Sequence, residues 1–255
     1  MNETSAPFPG AGTRNAIPYY SIPVRRYRHH LVPITPVRTS SLRGLGAMPN
    51  IFALECFIDE CADRAGLDPL AYRLAMQPDP RARAVLQAVA DMAGWSHRGA
   101  AGSGIGLGLA FGRYKNASGY AAVAVQLQAD SQIRLRHIWC AADAGLAINP
   151  DGIIAQLEGG IIQGASWTLK EQVKLDASGI ASRSWADYPI LRFSEIPPID
   201  CRILAHPDAP PLGMGEATIG PVAGAIGNAA AHALGVRLRA LPLTRERVLA
   251  AIEKL

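Results

Sequence analysis

The sequence predicts an α/β (α+β) chain in which extended arms lead into a helical segment at about 50 to 96, followed by a sheet layered with helices from about 101 to 255. Three observations predict it. Two Asp-Pro pairs, at Asp68 and Asp79, open successive runs with helical spacing. Three runs between Gly99 and Asp143 read as adjacent strands separated by polar turns. A long stretch of small apolar residues near the C-terminus is opened by Pro221 and closed by Gly235, as a buried helix would be. The chain divides on this reading into 1–100, an arm plus a helical hairpin, and 101–255, an α/β segment.

Taken in order, residues 1–49 carry Pro18, Pro23, Pro33, Pro36 and Pro49, so they run as extended segments that need another surface to lie against. Asn50 is the expected N-cap of "IFALECFIDECADRAG", whose apolar positions 51, 54, 58, 61, 62 and 65 make one helix face ending at Gly66. "DPLAYRLAM" and "DPRARAVLQAVADMAGW" are the next two helices. "GAAGSGIGLGLAFGRYKN", "GYAAVAVQLQAD" and "QIRLRHIWCAAD" are the strands. Gly102, Gly104, Gly106 and Gly108 miss the dinucleotide-loop spacing, and a strand follows them rather than a helix. Asn149 caps a helix containing Gly159, Gly160 and Gly164, each costing about 1 kcal/mol against alanine, so a close neighbour is expected there. Strands near 171–176 and 199–205, and helices at about 220–234 and 244–253, complete the chain.

Composition narrows the function classes. With 49% hydrophobic and 18% charged residues the chain has a globular interior, and no apolar run is long enough to cross a bilayer as a helix. The first residues lack a signal peptide's charged and apolar regions. The net charge of +4 concentrates only in "VRRYRHH", Val24 to His30, a run open to an anionic cofactor, a partner chain or nucleic acid, or else an exposed strand edge, which is the preferred reading; no aromatic platform or nucleic-acid module accompanies it. Cys56, Cys61, Cys140 and Cys201 form no CxxC pair and are read as structural, so neither a cluster nor a metal held by protein side chains is expected.

Three constellations carry chemistry. In "GMGEAT", Glu216 sits among Gly213, Gly215 and Gly220 before an apolar helix. Glycines allow a bulky ligand to approach, and a dry setting disfavours the charged carboxylate, raising it toward the range of a general base. A carboxylate complementing the dipole of the following helix fits the same spacing equally well. "SLRGLG" can turn the Arg43 guanidinium and backbone N–H groups toward an anion or oxo group, or be an ordinary turn. Gln163 in "IIQGAS" projects an amide from a glycine-rich helix face, where a structural hydrogen bond is the commoner use.

"LRGLGAMPNIFALECFIDECADRAGLDPLAYRL", "DAGLAINPDGIIAQLEGGIIQGASWTLKEQV" and "PPLGMGEATIGPVAGAIGNAAAHALGVRLRALPLT" together resemble consecutive blocks of the molybdenum-binding subunit of the xanthine dehydrogenase and aldehyde oxidase family. They are most similar to the branch of isoquinoline 1-oxidoreductase, nicotinate dehydrogenase and membrane-associated aldehyde dehydrogenase. The resemblance implies a mixed sheet like part of the molybdopterin-binding domain. It implies that Glu216 is the active-site carboxylate, taking a proton from a molybdenum-bound hydroxyl or water as that oxygen attacks an electron-poor carbon of an aldehyde or N-heteroaromatic. It also implies that Arg43, Gly44, Gln163, Gly164 and Gly215 lie against a molybdenum–pterin cofactor, the cytosine dinucleotide form being one candidate. Leu45 and Met214 would then face substrate.

The resemblance covers only about the C-terminal third of such subunits, and the glycine-rich GQG and GGFG cofactor motifs have no counterpart here. The expectation is therefore a split subunit that assembles with a chain carrying those motifs, the alternatives being a non-catalytic remnant serving as a binding or assembly module, or an excised domain. On any of these, the lone chain holds molybdenum weakly. Electrons would leave through a small two-cluster iron–sulfur partner, with a cytochrome c in some members of this branch. The compartment is left open between cytoplasm and periplasm.

Overall fold

The computed structural model describes residues 11–30 and 32–253. At its centre, β1 (Ile105–Arg113), β2 (Tyr120–Ala129) and β3 (Ile133–Asp143) form an antiparallel meander. The sheet is mixed, because a later strand, Ile199–Ile203, joins β3 in parallel, with Cys140 opposite Cys201. Residues 171–176, expected as a strand, contribute only β4 (Leu175–Asp176), which pairs with β5 (Gly179–Ile180) in a small separate hairpin; the strand Ile199–Ile203 is thus β6.

Both faces of the sheet are covered, and the period of two in β1 and β2 explains how. Ala121, Val123, Val125 and Leu127 point to one core, while Tyr120, Ala122 and Ala124 point to the other. The second core is closed by α3 (Pro80–Met92), whose Val85, Leu86 and Val89 are fully buried, each worth about 1.5–3 kcal/mol of apolar burial. The first is closed by α5 (Ile219–Leu234), which lies unusually close to β1. A Cβ on Gly106 would stand 1.9 Å from the Ala229 carbonyl oxygen, and one on Gly108 would stand 2.1 Å from the Ala229 nitrogen. These strand glycines seat a helix of small residues.

Helix α1 (Ala47–Arg64) packs across α5, and α2 (Pro69–Met76) follows it. Asp68 and Asp79 cap α2 and α3 as expected, each with proline in the first turn. Helix α1, however, begins three residues before Asn50. Asn50 lies inside it and donates instead to the carbonyls of Gly12 and Arg14, pinning the N-terminal segment. The buried face of α1 also differs from the expected one. Glu55 and Asp59 are buried while Leu54 and Cys61 are only partly so, because Arg73 on α2 reaches both carboxylates, at 2.9 and 3.1 Å. Helix α4 (Pro150–Leu169) is capped by Asn149, and α6 (Arg245–Ile252) ends the described chain.

Among the described residues no helix is long and apolar enough to cross a membrane. Val24 to His30 is not a strand edge. The segment pairs with no strand and lies exposed, part of an irregular arm in which Val24 is 88% and Ile34 85% exposed. An arm with this much uncovered apolar surface lacks its packing partner within the described chain.

Candidate active site

The three sequence constellations meet where the middle of α4 faces the start of α5. The connection from Gly213 to Thr218 brings Glu216 beside the loop that precedes α1, and the Gly44 N–H donates to Glu216 Oε1 at 2.7 Å. Gly44 has φ +85 and lies against Ile219, so the turn that aims this N–H is one for glycine. The next residue, Leu45, is also left-handed, with φ 53. Thr218 is the N-cap residue of α5, and that helix has no side-chain cap. Glu216 is thus not a helix cap. Its carboxylate is partly exposed and turned toward the Arg43–Gly44 loop.

Arg43 ties the elements together. Its Nε donates to the Gly215 carbonyl at 2.6 Å, one terminal nitrogen to Gln163 Oε1 at 3.3 Å, and the other to both the carbonyl and Oε1 of Gln156 at 3.0 Å. Burial lowers its pKa, and the nearby Glu216 charge opposes that. With Gln163 Oε1 held by the guanidinium, its amide presents Nε2 as a donor. Gln156 was not among the expected residues. It stands seven positions before Gln163, two turns of the same helix face, and that spacing was the available signal.

The helix glycines find their reason here. A Cβ on Gly160 would meet Thr218 Oγ1 at 2.3 Å, and one on Gly159 would lie 3.7 Å from Arg43. Gly164 stands apart from the cluster: its Cβ would meet Val222 at 2.5 Å, so it serves the contact between α4 and α5. Met214 is 4% exposed and lies in the core against Gly119, yet it also lines a cavity of about 250 Å³ with Gly215, Gln156, Leu212, Ile148 and Ile153. Leu45 does not line that cavity. A larger one, about 470 Å³, lies between α1 and the segment around Arg237, away from Glu216.

Two family models, both described as molybdopterin cofactor-binding domain, match this chain, over residues 1–76 and 82–197. The chain belongs to this molybdenum hydroxylase family. It is 41% identical to a nicotinate dehydrogenase chain of Pseudomonas putida, over 94% of this chain and 22% of that protein. It is 37% identical to the beta chain of isoquinoline 1-oxidoreductase from Brevundimonas diminuta, over 88% of this chain and 29% of that one. Among solved structures, quinoline 2-oxidoreductase from Pseudomonas putida 86 superimposes with a TM-score of 0.71 at 15% identity, covering 83% of this chain and 53% of its own, a likeness of fold. The chain thus spans between a fifth and a third of these two relatives.

The residues present fit one wall of a molybdopterin site. A partly exposed carboxylate, a guanidinium and two amides are linked beside a cavity that Gln156 and Gly215 line, and Gly213 has no neighbouring atom within 4 Å of where a Cβ would stand, leaving room for a bulky group.

Proposed function

We propose that this chain supplies the active-site carboxylate of a molybdenum hydroxylase that oxidises an N-heteroaromatic substrate, or an aldehyde, with water as the oxygen source. The observation that carries this reading is the convergence of Arg43, which also binds Gln163, and Gly44 on the Gly215–Glu216 segment, joined by the 2.7 Å bond from Gly44 to Glu216. The names of two relatives similar in sequence, nicotinate dehydrogenase and isoquinoline 1-oxidoreductase, favour the N-heteroaromatic class.

Glu216 acts as the base, taking the proton from the oxygen nucleophile as it attacks an electron-poor ring carbon. The Gly44 N–H holds Oε1, so the carboxylate keeps one orientation while Oε2 is available for the proton. Arg43 fixes the Gly215 carbonyl and hence the approach of Glu216. Gln163 Nε2 would donate to negative charge at the reacting centre, and Leu45 and Met214 would give the substrate side an apolar edge. Arg43, Gly44, Gln163 and Gly215 would lie against the molybdenum–pterin group, in its cytosine dinucleotide form. When bound, that group accepts the two electrons released as substrate and water become hydroxylated product and two protons.

The exposed arm at 21–30 and 32–42, together with exposed Ile148, Trp185 and Phe193, supports assembly with the remainder of the molybdenum subunit, carrying the GQG and GGFG motifs, on a separate chain. A two-cluster iron–sulfur subunit, with a cytochrome c beyond it, would take the electrons onward.

The test is to co-express the chain with such a partner, purify the complex, measure bound molybdenum and follow dye reduction with N-heteroaromatics and aldehydes. Glu216→Gln is expected to retain metal and lose about 10²–10⁴-fold in turnover, the usual contribution of a general base. Metal bound with turnover unchanged in Glu216→Gln would sink the mechanism. Failure of the partner to co-purify would sink the split assembly.

A further inference from the structure

Among the described residues four non-glycine residues have left-handed backbone: Asn15, Leu45, Lys115 and Asn116, with φ between 53 and 59. Leu45 follows the glycine that binds Glu216, and the other three surround Tyr114 at the end of β1. Such conformations persist where neighbouring structure enforces them, and they gather at functional sites. Here the enforcement is visible. Asn15 Nδ2 donates to the Arg113 carbonyl and to Asn116 Oδ1, at 2.8 and 3.0 Å, while the Lys115 N–H donates to Asn15 Oδ1 at 3.0 Å. Asn116 Nδ2 donates to the Ile17 carbonyl at 2.9 Å, and Asn50 on α1 holds Gly12 and Arg14.

This clamp delivers Tyr114 into the interior. Its ring packs on Ala47 and Ile51 of α1, with Arg14 at 5.6 Å and Lys115 at 5.3 Å over its face, and the residue is 5% exposed. The hydroxyl is buried and has no hydrogen-bond partner among the described residues. A buried hydroxyl without a partner is costly and calls for an explanation. Nothing about packing requires it, since phenylalanine would fill the same space.

We propose that Tyr114 is a positioning residue for Glu216, its hydroxyl donating to the carboxylate that Gly44 holds and keeping it aimed. The proposal rests on the reading of Glu216 as the base. The two groups are close enough to sense each other: burial first, then Glu216, push the Tyr114 pKa to about 12, while Arg14 opposes them. The bond is not closed in this conformation. Side-chain torsions alone would have to close it, because Gly44 and the Asn15 clamp hold the two backbones. The other charges facing the pair are Arg43 beside Glu216, and Arg14 and Lys115 over the tyrosine ring.

A carboxylate beside a phenol disfavours loss of the phenol's proton, so removing the carboxylate lowers the phenol's titration. In the full chain labelled at tyrosine Cζ, the Tyr114 signal is assigned by its loss in Tyr114→Phe. Glu216→Gln is expected to lower the titration of that tyrosine and leave the others in place. An unshifted Tyr114 with native far-UV circular dichroism overturns the proposal; if Tyr114→Phe does not fold, no shifted tyrosine in Glu216→Gln does the same.

In the assembled enzyme, Tyr114→Phe is expected to lower kcat with KM retained. Should Glu216→Gln leave turnover unaltered, the base assignment falls, while the titrations still judge the Tyr114–Glu216 contact.

Discussion

The Gly44 amide donates to Glu216 Oε1 across 172 positions of sequence, and that bond stands where the loop before α1 meets the loop before α5. Ile219, the first residue of α5, packs directly on Gly44, so the position of the amide depends on the α1–α5 contact. A site assembled this way inherits its rigidity from the core beneath it.

Gly44→Ala tests that dependence. The new Cβ would lie 3.0 Å from Ile219 Cγ2, at φ +85, where an L side chain is strained. The cost is about 1–2 kcal/mol, or a fall in Tm of about 2–8 °C for a chain of this size. Relaxing the strain turns the N–H away from Glu216, and misplacement of a reacting group by about 1 Å costs on the order of 10²-fold in turnover. Thermal melting of the chain and dye-reduction kinetics of the assembled enzyme measure the two effects. Full activity in Gly44→Ala would show that the amide does not aim the carboxylate.

Much of this was legible in sequence because the signals are local. The Asp-Pro openings specify α2 and α3 through a side-chain cap and a fixed φ, both within three residues of the helix start. Alternation in β2 already assigns Ala121, Val123 and Val125 to one face. Long-range chemistry was not legible. Periodicity placed Leu54 and Cys61 on the buried side of α1, and nothing near Glu55 announces that Arg73, 18 residues on, will neutralise it. Asn50 has the chemistry of an N-cap but spends its amide on carbonyls 36 and 38 residues earlier, while α1 starts before it without a side-chain cap. Tyr114 sits at a hairpin end with no motif around it, and only the fold carries it toward Glu216.

The buried charges make a stability prediction. Glu55 Oε2 accepts from Arg73 and from the Phe111 N–H on β1, at 2.9 and 3.0 Å, and Glu55 Oε1 accepts from the Tyr20 hydroxyl at 2.8 Å. Asp59 binds both Arg73 and Arg237. Both side chains of the Glu55–Arg73 pair have no exposure, so Arg73→Met would leave Glu55 charged or protonated without its partner. Breaking a buried pair from one side costs about 3–5 kcal/mol. Urea unfolding followed by circular dichroism is expected to show a midpoint lower by about 1–5 M, given slopes of about 1–3 kcal/mol/M. A change under about 1 kcal/mol would mean that the cluster is hydrated in solution.

Alkaline pH should unfold the chain through its buried phenols. Burial and Glu216 raise Tyr114 from 10.0 to about 12; burial and Asp79 raise Tyr120; burial and Glu55 raise Tyr20 well above its ordinary value. In each case the folded pKa exceeds the unfolded one, so the neutral phenol stabilises the fold fully below pH about 10. That stability is lost as pH rises from about 10 through the folded values, the unfolded chain being the form that releases the proton more easily. The Tm is therefore expected to stay level up to pH about 9 and to fall between about 10 and 12. Tyrosinate absorbance at about 295 nm should rise together with loss of the far-UV signal, since Tyr20 and Tyr120 can ionise only by giving up their hydrogen bonds to Glu55 and Asp79. Complete tyrosine ionisation near pH 10 with the far-UV signal intact would show that these rings are not buried as described.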